Sequence, residues 1–177
     1  MKVAITGTPG TGKTSVAAFL AKKGYEVRSF DELAEDFVVG YDDERECKIV
    51  DTEEMDKAFR NIKEEGIMFV EGHLSHMLSV DFVIVLRCEP SELEKRMKAK
   101  GWGEKKIREN LEAEAMDLIL SQSCDMHEGH VAEIDTTGRE AKEVAEEINK
   151  IVEGGFTDVK VGKVDYSGWL MENAGQI

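Results

Sequence analysis

A chain of 177 residues, 41% of them hydrophobic, is long enough to bury one ordinary core without disulfide or metal staples. Its formal net charge of −14 argues against sequence-independent binding to DNA or RNA, which depends on a basic surface. No run approaches the roughly 20 apolar residues that cross a bilayer, no signal-peptide core precedes the first strand, and Cys47, Cys88 and Cys124 are widely spaced. The expected compartment is the cytoplasm, with reduced thiols and no membrane contact.

In chain order, the apolar run Val3-Ala4-Ile5 predicts a first strand and residues 15–23 a first helix. Residues 25–30 predict a short second strand, and residues 31–37 a helical turn or two ending near Gly40. The stretch 41–46 is too polar for a core and predicts a cover over a site or a solvent loop. Asp51 stands where an N-cap would, with Glu54 reaching back to it, at the start of a helix that runs to about Glu65 and ends at Gly66. Residues 67–70 and 82–87 are solid apolar runs, as expected of strands buried on both faces.

Pro90 and Ser91 open a helix through Leu93 and Met97 that stops at Gly101, and a long helix is expected over residues 104–122. Residues 131–134 predict a last strand and 139–152 a last amphipathic helix. From Gly154 the character changes. Residues 157–166 alternate like a two-stranded ribbon or an edge strand and lead into Trp169-Leu170-Met171, whose bulk predicts packing on the chain's own domain, on a partner or on a second copy.

Strands that alternate with helices predict βαβ units: an α/β fold with a parallel sheet and helices on both faces. Ligands in such sheets sit at the carboxyl ends of the strands. The segment from Gly7 to Thr14, Asp31, Glu71-Gly72-His73 and Arg87 each follow a strand and are expected on one rim.

The strongest chemical signal is Gly7-Thr8-Pro9-Gly10-Thr11-Gly12-Lys13-Thr14, a G-x-x-x-x-G-K-T loop between a strand and a helix. Glycines such as Gly10 and Gly12 let backbone N–H groups wrap a phosphate, and Ser15 continues into the helix whose N-terminus adds partial positive charge. Lys13 is placed to reach the β- and γ-phosphates, and the Thr14 hydroxyl to ligate Mg²⁺. The motif alone fits an ATPase, a GTPase, a kinase or a motor, but no N-K-x-D base-reading motif occurs in the chain.

Met68-Phe69-Val70-Glu71 places a glutamate at the end of an apolar run, where a carboxylate can hold a Mg²⁺-bound water or orient a nucleophile; a structural ion pair is the alternative. His73 lies two residues further on, so in an extended chain both side chains point to the same side, although a hydrogen-bonded scaffold histidine reads equally well. Asp31 and Arg45 are candidates for the polar groups and phosphate of an acceptor nucleotide. Between Lys95 and Arg108 stand seven basic residues and a single acid, Glu104, which reads as a reservoir of charge for a polyphosphate or as a solvated helix face with pairs such as Glu94–Lys98. The pattern Cys124-x-x-His127-x-x-His130, with His73-x-x-His76, matches no familiar zinc module.

These residues together resemble the small P-loop kinases identified as archaeal broad-specificity nucleoside monophosphate kinases, related to the nuclear adenylate kinase isoenzyme 6 of eukaryotes. Carriers of the resemblance are the glycine loop, Gly40-Tyr41-Asp42-Asp43-Glu44 leading into Cys47-Lys48-Ile49-Val50-Asp51, Glu71-Gly72-His73, Val85-Leu86-Arg87, Gly101-Trp102-Gly103-Glu104-Lys105-Lys106-Ile107 and Glu112-Ala113-Glu114. It spans residues 1–153 and implies a P-loop NTPase three-layer fold, an acceptor region at about 29–52 and a short lid at about 99–109. The implied chemistry is reversible transfer of the γ-phosphoryl group of ATP to AMP or a similar monophosphate, with Mg²⁺, plus slow ATP hydrolysis.

The resemblance further implies a part in small ribosomal subunit maturation through transient contact with a ribosomal protein. The expected state is a monomer or weak dimer that does not bind DNA. Two departures stand out: Glu71 replaces the aspartate of the eukaryotic relatives, and Lys100 replaces a lid arginine, which keeps the charge but loses the planar fork. Residues 154–177 have no counterpart in this pattern. Open alternatives are an ATPase switch acting on a ribosomal protein, and a kinase for a small hydroxyl substrate with Asp31 as base.

Overall fold

A computed structural model describes residues 1–43, 47–157 and 159–173. The elements run β1 (Lys2–Thr6), α1 (Lys13–Lys22), β2 (Glu26–Ser29), α2 (Phe30–Leu33), β3 (Val38–Asp42), β4 (Cys47–Val50), α3 (Thr52–Arg60), β5 (Met68–Glu71), β6 (Phe82–Arg87), α4 (Pro90–Ala99), α5 (Glu104–Ala115), α6 (Leu118–Met126), β7 (Val131–Asp135), α7 (Ala141–Glu153) and α8 (Ser167–Asn173). Five strands form one parallel sheet in the order β2-β5-β1-β6-β7. β1 lies at its centre, so the loop that follows it emerges in the middle of the carboxyl rim, where the strand order reverses.

Alternation along each strand sorts the core into two layers. Val3, Ile5, Ile84, Leu86 and Ile134 face Val16 and Leu20 of α1 and Val144, Ala145 and Ile148 of α7. On the opposite face Ala4, Val83 and Val85 pack under Leu120 of α6, while Met68 and Val70 pack against Phe30, Met55 and Phe59 of α2 and α3. The result is the expected α/β three-layer arrangement. Among the described residues no helix is long and apolar enough to cross a membrane.

Four elements depart from the expectations, three of them because a tertiary contact overrides a local pattern. The helical turns after β2 end at Phe37 rather than near Gly40, and Gly40 lies inside an antiparallel hairpin of β3 and β4. Because Val39, Tyr41 and Ile49 are exposed, the hairpin has no buried stripe to betray it. Residues 44–46, with Arg45 among them, lie outside the described residues.

α3 is capped as expected by the Asp51 side chain, which accepts from the Glu54 N–H at 3.0 Å, but the Glu54 carboxylate pairs with Lys57 instead of reaching back. It stops at Arg60, five residues short of Glu65, because the Lys2 ammonium takes the Phe59 carbonyl at 2.8 Å and Glu64 turns away to the N-terminal amine at 2.9 Å.

The long helix expected over 104–122 is two helices, broken at Asp117, which adopts φ 56°. Arg87 is the cause: one of its amino nitrogens donates both to the Glu114 carbonyl and to the Asp117 carboxylate. Arg87 therefore does not join the others on the open rim. It is 1% exposed and salt-bridged to Glu114, Glu133 and Asp117.

Finally, no strand forms among the described residues of 157–166. Lys163 and Val164 instead donate their N–H groups to one Glu133 oxygen at 2.9 and 3.4 Å. The Tyr166 ring stacks over the Arg87 guanidinium, and α8 seats Trp169 beside Ile107 and Leu111. Of the readings open for this segment, packing on the chain's own domain is the one observed.

Candidate active site

The glycine loop is held by close approach on two sides. A Cβ on Gly7, whose φ is +138°, would lie 2.3 Å from the Leu86 carbonyl oxygen, and one on Gly10 would lie 2.9 Å from Leu93. The loop thus lies tightly against the end of β6 and against α4. Gly12 precedes α1 with φ 100°, so the N-terminal N–H groups of that helix open towards the loop's hollow.

Lys13 is buried, and its ammonium donates to the Gly7 and Thr8 carbonyls at 2.7 and 3.1 Å. Burial lowers its pKa to about 8, an effect that the nearby Glu71 and Glu114 carboxylates partly offset. The Thr14 hydroxyl stands 3.3 and 3.4 Å from the two oxygens of Glu71, the last residue of β5. Burial raises the Glu71 pKa against the opposing pull of Lys13. A hydroxyl and a carboxylate, both hard oxygen donors with no nitrogen or sulfur between them, form a set that could hold Mg²⁺ largely through its waters.

Gly72 has no room for a side chain, since a Cβ would meet that of Phe30 at 2.4 Å. This contact seats Glu71-Gly72-His73 against the start of α2 and turns the chain. His73 is exposed and lines the same cleft as Glu71, as the two-residue spacing predicted, although β5 itself ends at Glu71. The protein around His73 and the Lys13 charge hold its pKa below the ordinary value.

The cleft has a volume of about 640 Å³. Lys13, Thr14, Asp31, Glu71 and His73 line it together with Lys100, Trp102 and Lys106 from the α4–α5 region and Cys47 of the hairpin. Four of the seven basic residues between Lys95 and Arg108 divide by position. Lys100 and Lys106 reach the cleft, while Lys98 and Arg108 pair with Glu94 and Glu112 along their own helices. The helix-face reading holds for Lys98 and Arg108, while Lys100 and Lys106 stand where a charge reservoir would be needed.

A second cavity, of about 430 Å³, shares Gly10 and Lys100 with the cleft in its lining. Gly10, Gly12, Ser15 and Lys100 contribute to it, together with Arg96, Thr136, Arg139 and Val144. Arg96 belongs to the basic segment already singled out in the sequence, whereas Thr136 and Arg139 are site-lining residues that the sequence reading did not mark. Arg96 ties the loop to the neighbouring rim, donating to the Gly10 carbonyl at 3.4 Å and to that of Thr136 at 3.1 Å. Thr136 and Arg139 follow β7 directly, and that position at a strand's carboxyl end is the signal that could have found them.

The histidine and cysteine pattern is dispersed. His76 contacts the Thr6 hydroxyl and Gln122, His127 contacts the His76 carbonyl, and among the described residues no group of three His, Cys, Asp or Glu side chains could hold a metal ion.

A five-stranded parallel sheet, helices on both faces, and a phosphate-type glycine loop after the central strand define the class: a P-loop α/β protein with the fold of the nucleoside monophosphate kinases. Solved structures of this fold agree. The chain superposes on shikimate kinase from Acinetobacter baumannii with a TM-score of 0.63 at 14% identity, covering 89% of this chain and 95% of that one. For thymidylate kinase from Candida albicans the TM-score is 0.56 at 13% identity, with 88% and 92% covered.

Residues 3–117 match the family model described as "AAA domain". A protein of Archaeoglobus fulgidus named "Putative adenylate kinase" is 44% identical over 172 residues, which cover 97% of this chain and 93% of that one. Its namesake in Methanothermobacter thermautotrophicus is 44% identical over 173 residues, covering 96% and 99%. The chain belongs to the AAA-domain family and to the family of archaeal proteins that carry this adenylate kinase name. These matches reach past residue 153, so the C-terminal segment, unplaced by sequence reading, also has counterparts in the relatives.

Proposed function

We propose that the protein is a nucleoside monophosphate kinase that transfers the γ-phosphoryl group of ATP to AMP or a similar monophosphate. One observation carries this reading: the Lys13 end of the glycine loop, the Thr14–Glu71 pair and the lid lysines Lys100 and Lys106 all line a single cleft, and a second cavity shares Gly10 and Lys100 with it. Two compartments that share a stretch of the phosphate loop and the lid Lys100 suit two nucleotides whose phosphates meet at the loop. The names of the relatives favour the same activity.

An acceptor phosphate is already largely ionised near neutrality, so no strong base is needed, and catalysis rests on positioning and on charge that meets the transferring group. Lys13 and the α1 N-terminus hold the donor's phosphates from below, and Lys100 and Lys106 shield them from the lid side. Asp31, with Arg45 of the same region, is proposed to orient the acceptor. Thr14 and Glu71 would hold Mg²⁺, which would supply neutralisation of charge on the donor phosphates. Lid closure over residues 99–109 excludes water. Free thiols at Cys47, Cys88 and Cys124 favour the cytoplasm as the compartment.

A second reading, kin to the eukaryotic isoenzyme 6, is an ATPase that switches a ribosomal protein. It is favoured by His73, exposed beside Glu71 where the pair can orient a water, and by a net charge of −14 that suits a basic partner. Purified protein with ATP and Mg²⁺, assayed for ADP with and without each monophosphate, separates the two. Stimulation by AMP or CMP supports the kinase; a rate indifferent to monophosphates and raised by a small-subunit ribosomal protein supports the switch.

A further inference from the structure

We infer that Glu114, near the far end of the helix that begins at the lid, is a positioning residue for phosphoryl transfer: its carboxylate holds the Thr8 hydroxyl and so fixes the stretch of loop on which Lys13 rests. The inference deepens the kinase reading and rests on it.

Glu114 is 3% exposed and its carboxylate takes three donors. Two of them, the Arg87 side chain at 2.8 Å and the Cys88 N–H at 3.0 Å, belong to the end of β6 and the residue after it. The third is the Thr8 hydroxyl, from inside the glycine loop. Thr8 is itself buried, and its carbonyl receives the Lys13 ammonium at 3.1 Å, the Thr11 hydroxyl at 2.9 Å and the Thr11 N–H at 3.2 Å. One residue therefore receives the catalytic lysine on its backbone and gives its side chain to α5.

Two features argue that this tie does more than fill a core. First, Thr8 occupies a position of the glycine motif that phosphate binding leaves open to any residue, and its hydroxyl is spent on Glu114. Second, Lys106, Asn110 and Glu114 are spaced four apart and share one face of α5. The first two line the cleft and the third meets the loop one turn later. The helix that carries a lid cation is thus pinned to the phosphate loop, and Thr8–Glu114 is the pivot between them.

The alternative is that Glu114 serves only to neutralise Arg87, in which case the Thr8 hydroxyl is dispensable. Steady-state transfer from ATP to AMP, measured together with melting midpoints for wild type, Thr8→Val, Thr8→Ser and Glu114→Gln, separates these. The valine variant removes the hydroxyl at nearly constant volume, and Thr8→Ala serves if valine is not accommodated. The expected result is a kcat lower by about tenfold or more in Thr8→Val, since small misplacements of reacting groups cost this much. KM for ATP should stay within about threefold, because the loop's phosphate-binding amides remain. Thr8→Ser should recover kcat, and the Thr8→Val, Glu114→Gln double variant should lose no more than the worse single variant. A Thr8→Val enzyme with wild-type kcat, or valine and serine variants that fall together, overturns the inference alone. A wild-type protein that transfers phosphate to no monophosphate overturns the kinase reading and this inference with it.

Discussion

The hydroxyl of Thr14, at the start of α1, stands 3.3 Å from a carboxylate oxygen of Glu71, at the end of β5. Two elements far apart in sequence are thereby joined next to the buried ammonium of Lys13, at the one place where the central strands of a parallel sheet open outward. The chemistry proposed for the cleft depends on that meeting.

Lys13 has no substitute within the glycine loop. Lys13→Ala is expected to lower the transfer rate by about 10²-fold or more, the usual loss when a preorganised donor is removed from a developing charge. Circular dichroism should be unchanged, because the side chain's own bonds are only to loop carbonyls.

Glu71→Gln keeps the shape of the side chain and removes its charge. The Mg²⁺ concentration for half-maximal activity should rise about tenfold or more, as for loss of a group that orients a metal's waters. Because burial raises the Glu71 pKa, its carboxylate becomes protonated at a higher pH than an ordinary glutamate does. Activity at limiting Mg²⁺ should therefore fall with acidification from above pH 4.5, and the glutamine variant should lack this acid limb.

His76 is wholly buried beside Thr6, and burial lowers its pKa from 6.5 to about 4. Between these values the unfolded chain binds a proton that the folded one refuses, so stability is complete above pH 6.5 and declines as the pH falls towards 4. The loss reaches about 3 kcal/mol from this residue alone. Denaturant unfolding at a series of pH values should show a shallower slope in His76→Gln than in wild type.

Arg87→Ala should act on stability and not on nucleotide affinity directly. Removing the guanidinium leaves Glu114, Glu133 and Asp117 facing one another, two of them buried, which costs about 3–5 kcal/mol for a broken buried pair. It also takes away the cation under the Tyr166 ring, so residues 159–173 should become more open to proteolysis.

Much of this was readable from the chain itself, because solid apolar strands and a glycine motif are local signals. β6 falls on the expected residues 82–87, and the α/β layering follows from its alternation with helices. What escaped was decided by partners far away in sequence. The break at Asp117 depends on Arg87, the early end of α3 on Lys2, and the path of residues 159–166 on Glu133. Arg87 was misread as a rim residue for the same reason: its position after a strand is visible in the sequence, but the three carboxylates that claim it are not. Thr136 and Arg139 went unnoticed because no motif marks them, although both line the second cavity.

The most direct test follows the label from ATP carrying a marked γ-phosphorus when AMP and Mg²⁺ are added to wild type and to Lys13→Ala. Wild type should form marked ADP from AMP, and the variant almost none. Label released only as inorganic phosphate at a rate indifferent to AMP, or transfer undiminished in Lys13→Ala, would contradict this.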